Sequence, residues 1–179
     1  MAIFTRDGHG QLERNRVNPV NMESQCVLDA TAFPNGADVG TLVSVDKANG
    51  KLVAPQEGLV AGILANSERV FGVVDRSLKN YFVKPNEMGS VLFLEKGDLF
   101  TTNSMTIASA YSDVAALKAD VLAGQAHAGF DATGCINVFK GATTAGIATS
   151  LKVVKVTTMP DGQFALQFMV LSTDFSAAN

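Results

Sequence analysis

The chain has 179 residues, of which 47% are hydrophobic and 17% are charged, and its formal net charge is −3. This length fits one domain with an added arm or insertion. The acidic balance argues against nucleic-acid binding, which needs a basic face, and no run approaches the 18 apolar residues of a membrane-spanning helix. Because the charged share is below the usual ~25%, more of the surface is neutral, which favours a protein that covers its surface with partners.

The first 24 residues differ in character from the rest. Polar and charged side chains dominate them, the apolar residues follow neither a two-residue nor a 3.6-residue period, and Gly8, Gly10 and Pro19 interrupt them. Such a segment buries too little surface to offset its own ordering entropy. We therefore divide the chain into an extended N-terminal arm, residues 1–24, and a single β domain, residues 25–179. The arm is expected to contact a neighbouring subunit, with a frayed terminus as the alternative.

From Gln25 onward, short apolar runs alternate with turn residues, which is typical of a compact β domain. Asn49-Gly50 predicts a hairpin with a type I′ turn, in which both central residues have positive φ. Further turns are predicted at Pro85-Asn86 and at Lys96-Gly97-Asp98. The predicted strands in this part of the chain are 26–28, 41–45, 52–55, 70–74, 81–83 and 91–94.

The clearest hairpin is the last one, in which strands 151–158 and 163–171 flank Met159-Pro160-Asp161-Gly162, with Pro early and Gly late in the turn. Apolar side chains alternate along the second of these strands, so one of its faces is predicted to be buried. The side chains expected on that face are Phe164, Leu166, Phe168 and Val170.

One segment has helical spacing and predicts a short amphipathic helix over residues 113–123. Ser112 is the expected N-cap and Gly124 the expected C′ residue. The apolar face is expected to contain Val114, Leu117, Val121 and Leu122. The fold class predicted from all these elements is all-β: an antiparallel β-sandwich or β-barrel with one short helix and an extended N-terminal arm.

Few residues of the chain belong to the types that catalyse reactions or bind metal ions. His9 and His127 are the two histidines, and neither has a second histidine at metal-ligand spacing. Cys26 and Cys135 fit neither a zinc pattern nor a redox pattern, and they are expected to be reduced, small apolar side chains in strands. The loop 141–146 has the glycine spacing of a phosphate loop but lacks its lysine. The sequence thus predicts no catalytic, cofactor-binding or metal-ligating residue and no enzymatic activity.

A resemblance is carried by Gly40-Thr41-Leu42-Val43, Ala61-Gly62-Ile63-Leu64, Glu87-Met88-Gly89-Ser90-Val91 and Lys96-Gly97-Asp98-Leu99-Phe100. This cadence of glycine, apolar strand and turn resembles the head decoration, or structural cement, proteins of bacteriophages. The resemblance implies a β protein that binds the outside of an assembled capsid, with the major capsid protein as its partner. It further implies a homo-oligomer, with a trimer favoured, no cofactor, and a place in the virion after assembly in the host cytoplasm.

Three other interpretations stay open at this stage. A phage tail component, such as a tube, terminator or adaptor subunit, would form rings on its own. A small β-barrel enzyme would require His127 and an acid to converge in a pocket. A host-encoded module that binds small ligands is the fourth class of protein considered.

Overall fold

A computed structural model describes residues 4, 6, 8–17, 22–65, 81–141, 147–173 and 175. Strands make up 44% of the structure, and the described residues contain one short helix. This content confirms the all-β prediction. The strands are β1 Leu12–Arg16, β2 Met22–Leu28, β3 Leu42–Asp46, β4 Lys51–Val53, β5 Val60–Leu64, β6 Met88–Leu92, β7 Leu99–Thr102, β8 Met105–Ile107, β9 Ala126–Phe130, β10 Ile136–Lys140, β11 Leu151–Thr158 and β12 Phe164–Val170, and the helix is α1 Val114–Leu122.

The strands form two sheets. Five of them close into a barrel in the order β2-β4-β3-β5-β6, and seven form an open sheet in the order β1-β7-β12-β11-β9-β10-β8. Pairing is antiparallel, as predicted, except between β2 and β4 and between β8 and β10, which are parallel. The architecture therefore combines a barrel with a sheet that packs against it.

The barrel wall is apolar on both faces where the sheet covers it. Along β3, Leu42 belongs to a hydrophobic cluster shared with the sheet, while Val43 belongs to the cluster inside the barrel. Ile63 and Leu64 of β5 divide in the same way. Successive side chains of a strand point to opposite faces. Because both faces are buried here, the sequences of these strands are continuous apolar runs and do not alternate between apolar and polar residues.

The shared cluster joins the two sheets. On the sheet side its largest fully buried members are Phe100 of β7 and Phe168 of β12, whose ring centroids lie 5.6 Å apart. Both side chains are fully buried. Burying a side chain of this size contributes roughly 1.5–3 kcal/mol, so this cluster is central to the stability of the body.

The Asn49-Gly50 hairpin forms, but its turn is not of type I′. Asp46 pairs with Lys51 across a loop of four residues, and Gly50 has a φ of +65° while Asn49 does not have a positive φ. The Asp46 carboxylate accepts hydrogen bonds from the backbone N–H and the side-chain amide of Asn49, at 3.1 and 2.6 Å. This side-chain capping stabilises a longer loop than the two-residue motif predicts.

The last hairpin is confirmed. β11 has the predicted bounds, and the N–H of Gly162 donates to the carbonyl of Met159 at 2.8 Å across the turn. Leu166, Phe168 and Val170 are buried on the predicted face, whereas Phe164, predicted to be buried with them, is only partly buried. Ala165, predicted on the opposite face, is buried as well.

The helix is confirmed, with a corrected cap and a narrower apolar face. Asp113, not Ser112, is the N-cap, because its carboxylate accepts the N–H of Ala116 at 2.7 Å. Leu117 is the buried residue of the helix, whereas Leu122 is 89% exposed. The helix contacts β9 and β11 along one side, where Leu117 is buried and Val121 packs partly buried against the shared cluster.

Two further strand predictions have different outcomes. Residues 81–83 do not form a strand, because Val83 pairs with Ala37 in an isolated bridge and is not extended by neighbours. The strand predicted at 70–74 lies outside the described residues.

The expected N-terminal arm needs correction. Residues 12–16 form β1, which pairs antiparallel with β7 at the edge of the sheet. Leu12 and Val17 pack against the shared cluster, so this segment packs on its own body, where the sequence predicted contact with a neighbouring subunit. The boundary at residue 24 falls inside β2, which begins at Met22. The treatment of residues 25–179 as a single domain stays a prediction.

Candidate functional site

A cavity of about 630 Å³ lies where the N-terminal segment, the barrel and the sheet meet. Arg6 and His9 line it from the N-terminal side, Asp38 and Phe82 from the barrel side, and Cys135 from the turn before β10. Its volume is in the range of small-ligand sites, which makes it the candidate functional site. The sequence did not predict this cavity.

Arg6 is held by three separate contacts. Its Nε donates to the carbonyl of Gly8 at 3.1 Å, its Nη1 donates to Ser104 Oγ at 3.2 Å, and its Nη2 forms an ion pair with Asp38 Oδ2 at 2.5 Å. Each guanidinium nitrogen thus has a partner within the protein. The side chain ties the N-terminal segment to both the barrel and the sheet.

Asp38 is the anchor on the barrel side. Its second oxygen, Oδ1, lies 2.7 Å from His9 Nδ1, and the imidazole of His9 stacks on Phe82 with centroids 4.3 Å apart and planes at 23°. Both carboxylate oxygens are therefore occupied by side chains of the N-terminal segment. The charged groups of the cavity neutralise one another, so their role is to hold the N-terminal segment on the barrel.

Cys135 lines the cavity without forming a reactive pair. Its Sγ lies 3.6 Å from Thr106 Oγ1, and burial raises the pKa of the thiol above its ordinary value. A protonated thiol is a poor nucleophile. Cys26 is buried inside the barrel, and burial raises its pKa too. Both cysteines are free.

His127 does not reach the cavity. It lies on β9, and its Nδ1 is 3.2 Å from the carbonyl of Gln125. The histidine that does meet an acid is His9. The convergence of His127 with a carboxylate, which the enzyme interpretation requires, is not found among the described residues.

The remaining site expectations can be located only in part. No group of three or more His, Cys, Asp or Glu side chains within the described ranges could hold a metal ion. Gly141 is described, but the rest of the loop 141–146 up to Gly146 lies outside the described residues. No helix in the part of the chain that the structure describes is long and apolar enough to cross a membrane.

A second set of polar contacts fastens the N-terminal segment to the sheet. Gln11 is fully buried, its N–H donates to Asn103 Oδ1 at 2.6 Å, and its carbonyl accepts from Thr102 Oγ1 at 2.5 Å. Its side-chain Nε2 donates to Asp161 Oδ2 at 2.7 Å. A buried glutamine is rare unless it is hydrogen-bonded, so these bonds fix the register of the segment. The sequence offers one signal for them, the polar character of residues 1–24.

In comparisons with known proteins, no family model, no curated protein and no solved structure matches the chain.

Proposed function

We propose that this protein is a virion structural protein that binds the outer surface of a phage capsid and stabilises it as a decoration or cement protein. It acts by adding contact area, and it requires no cofactor and no catalytic group. Its partner is the major capsid protein, and it binds as a homo-oligomer, with a trimer favoured.

The residues that resemble decoration proteins come together in space. Three of the four segments fall on β3, β5 and β6, which are neighbours in the barrel, and the fourth leads into β7. Three of the four segments thus form one contiguous part of the barrel. This placement supports the proposal, because residues that are characteristic of a protein family are expected to lie together in one structural unit.

The single observation that carries the proposal is how the polar groups of the cavity are used. Arg6, Asp38 and His9 bond to one another across the junction of barrel and sheet. A catalytic or ligand-binding site needs polar groups directed at a substrate, whereas these hold three parts of the chain together. A protein whose parts are linked in this way is suited to stabilising a capsid shell that is under mechanical tension.

The barrel also supplies a surface for the capsid. Val60 of β5 and Met88 of β6 are 63% and 58% exposed. Exposed apolar side chains on a surface of low charge are typical of contacts that become covered by a partner. We place the capsid contact on the barrel, because the resemblance falls on the same strands.

Co-sedimentation with purified heads of the phage that encodes the protein tests this proposal. Val60→Asp and Met88→Asp should each weaken binding about tenfold or more, or ~1.4 kcal/mol, because each places a charge in an apolar contact. Leu122→Asp is the matched control, since Leu122 is exposed on the helix and lies outside the barrel. Circular dichroism should show all three variants folded.

Two results would contradict the proposal. If the wild-type protein does not sediment with heads, the capsid assignment is wrong, and sedimentation with tails would move it to the tail class. If Leu122→Asp alone weakens binding, the contact surface lies on the helix and not on the barrel.

A further inference from the structure

The described residues 4, 6 and 8–17, here called the N-terminal strap, cross from the barrel to the far edge of the sheet. At one end Arg6 and His9 bind Asp38 in the loop before β3. Farther along, Gln11 binds Asp161 in the turn between β11 and β12, and β1 then pairs with β7. The strap therefore links parts of the fold that are distant in sequence.

The strap is held mainly by polar contacts. Asn15 Oδ1 accepts hydrogen bonds from Thr101 Oγ1 at 2.6 Å and from Gln167 Nε2 at 3.1 Å, in addition to the bonds of Arg6, His9 and Gln11. Its apolar side chains are only partly buried, and those that pack on the shared cluster are Phe4, Leu12 and Val17. Phe4 lies 5.2 Å from Phe164, measured between ring centroids.

Two carboxylates, one on each side of the junction, bind the side chains of Arg6, His9 and Gln11. Around Asp38, the titratable groups that line the same cavity are Arg6 and His9 from the strap and Cys135 from the turn before β10. Asp161 accepts from Gln11 and from Gln163 of its own turn.

We propose that the strap is a clasp held by carboxylates: protonation of Asp161 loosens it, and loss of the carboxylate charge at both Asp38 and Asp161 frees it, while the barrel and the sheet stay folded. An uncharged side chain at position 38 forms no ion pair with Arg6, and a protonated Asp161 has one acceptor oxygen fewer for its N–H donors, among them Gln11 Nε2. This inference does not depend on the proposed function, because it concerns how the chain is fastened to itself.

The pKa of Asp161 is shifted in the direction that release in acid requires. The hydrogen bond from Gln11 is the largest effect, and together with the bonds from Gln163 it holds the pKa of Asp161 below its ordinary value. A carboxylate whose pKa is lower in the folded state stabilises that state above the unfolded pKa, and this contribution is lost as the pH falls through the folded pKa. Release is therefore expected on the acid side of the ordinary aspartate value, below about pH 4.

Amide hydrogen exchange of the full-length protein tests the clasp. Asp38→Asn and Asp161→Asn remove the two carboxylate charges at neutral pH. The double variant should lower the protection of amides 11–16 by about tenfold or more, or ~1.4 kcal/mol, while the amides of β11 and β12 keep theirs. Asp120→Asn is the matched control, because it removes an ion pair with Lys140 that does not touch the strap.

A pH series completes the experiment, with rates corrected for intrinsic exchange. Wild-type strap amides should lose protection as the pH falls below about 4, and the double variant should change little over this range because its clasp is already open. The inference is overturned if the strap and β11 lose protection together, if the double variant matches the wild-type protein at neutral pH, or if the wild-type strap keeps its protection in acid.

Discussion

Gly134 lies at a point of contact between the two sheets where a side chain does not fit. Its carbonyl accepts the N–H of Leu42 at 2.9 Å, its φ is +81°, and a Cβ added to it would overlap the carbonyl of Leu42. Both the backbone conformation and the contact therefore require glycine here. The turn before β10 is thereby tied to β3 of the barrel.

Replacing Gly134 by alanine should destabilise the protein strongly. Gly97→Ala is the matched control, since Gly97 also has a positive φ, +94°, but faces open space. The control should lose about 1 kcal/mol from its backbone conformation, whereas Gly134→Ala should lose ~3 kcal/mol or more, because overlap adds to that cost. Urea unfolding measures both; equal losses would show that the contact has no energetic role.

Asp131 organises the same turn through several hydrogen bonds. Its carboxylate accepts from the N–H and hydroxyl of Thr133 at 2.9 and 2.6 Å, from the N–H of Cys135 at 3.0 Å and from Asn137 Nδ2 at 2.8 Å. Burial raises the pKa of Asp131, but these bonds outweigh it and bring the pKa below the ordinary value.

Part of the acid sensitivity of the fold should therefore come from Asp131. Because its pKa is lowered in the folded state, its contribution to stability is present at neutral pH and is lost as the pH falls below about 4. Asp131→Asn should lower the free energy of unfolding at pH 7 and make it less dependent on pH between 5 and 3. Chemical unfolding at several pH values measures this. Parallel pH profiles for the two proteins would contradict it.

At the scale of elements, strands with apolar side chains were predictable and β1 was not. β11 and the helix follow from their side-chain periods, and the turn between β11 and β12 follows from Pro160 and Gly162. β1, with the sequence LERNR, has no such alternation. It forms because its backbone pairs with the edge of β7 and because Gln11, just before it, forms hydrogen bonds with Asn103 and Asp161, 92 and 150 residues away. Contacts so distant leave no local pattern.

Removing the strap should expose a strand edge. Deletion of residues 1–17 uncovers β7, whose unpaired N–H and C=O groups can then pair with another chain. The shortened protein should keep a far-UV spectrum rich in strand, because both hydrophobic clusters are centred on later strands. Its melting temperature should be lower and its tendency to associate higher than those of the full-length protein.

Circular dichroism and light scattering measure these two effects of the deletion. Asp120→Asn serves again as a full-length control with an intact strap. An unchanged melting temperature would show that the strap adds nothing to the body. Loss of the strand spectrum would instead show that the strap is part of the essential core.

At the scale of the whole molecule, the barrel and the sheet act as one body because they share a cluster. Leu42, Ile63 and Leu92 from the barrel meet Phe100 and Phe168 from the sheet there. The sequence predicted the class of this fold, because turns and apolar runs are local. It did not predict the split into barrel and sheet, because consecutive residues of one strand serve two different clusters.

The candidate site was predicted even less well. His9 was placed in the arm, and its meeting with Asp38 depends on how the strap crosses the junction. Cys135, which is distant from His9 in the sequence, lines the same cavity from the turn before β10. No spacing in the sequence indicates such a convergence, since it is set by the packing of the barrel on the sheet.

The most direct test of the central claim, that the protein stabilises a capsid by adding contact area, is its occupancy on shells compared with free coat subunits. A contact of standard size needs about 1,600 Å², and a clamp across a seam obtains it from two subunits at once. Binding should therefore saturate on assembled heads and be weak on free coat subunits, and His127→Ala should stay within about tenfold of wild type, or ~1.4 kcal/mol. Equal binding to free subunits would contradict the account, as would a folded His127→Ala variant that has lost an enzymatic activity of the wild-type protein.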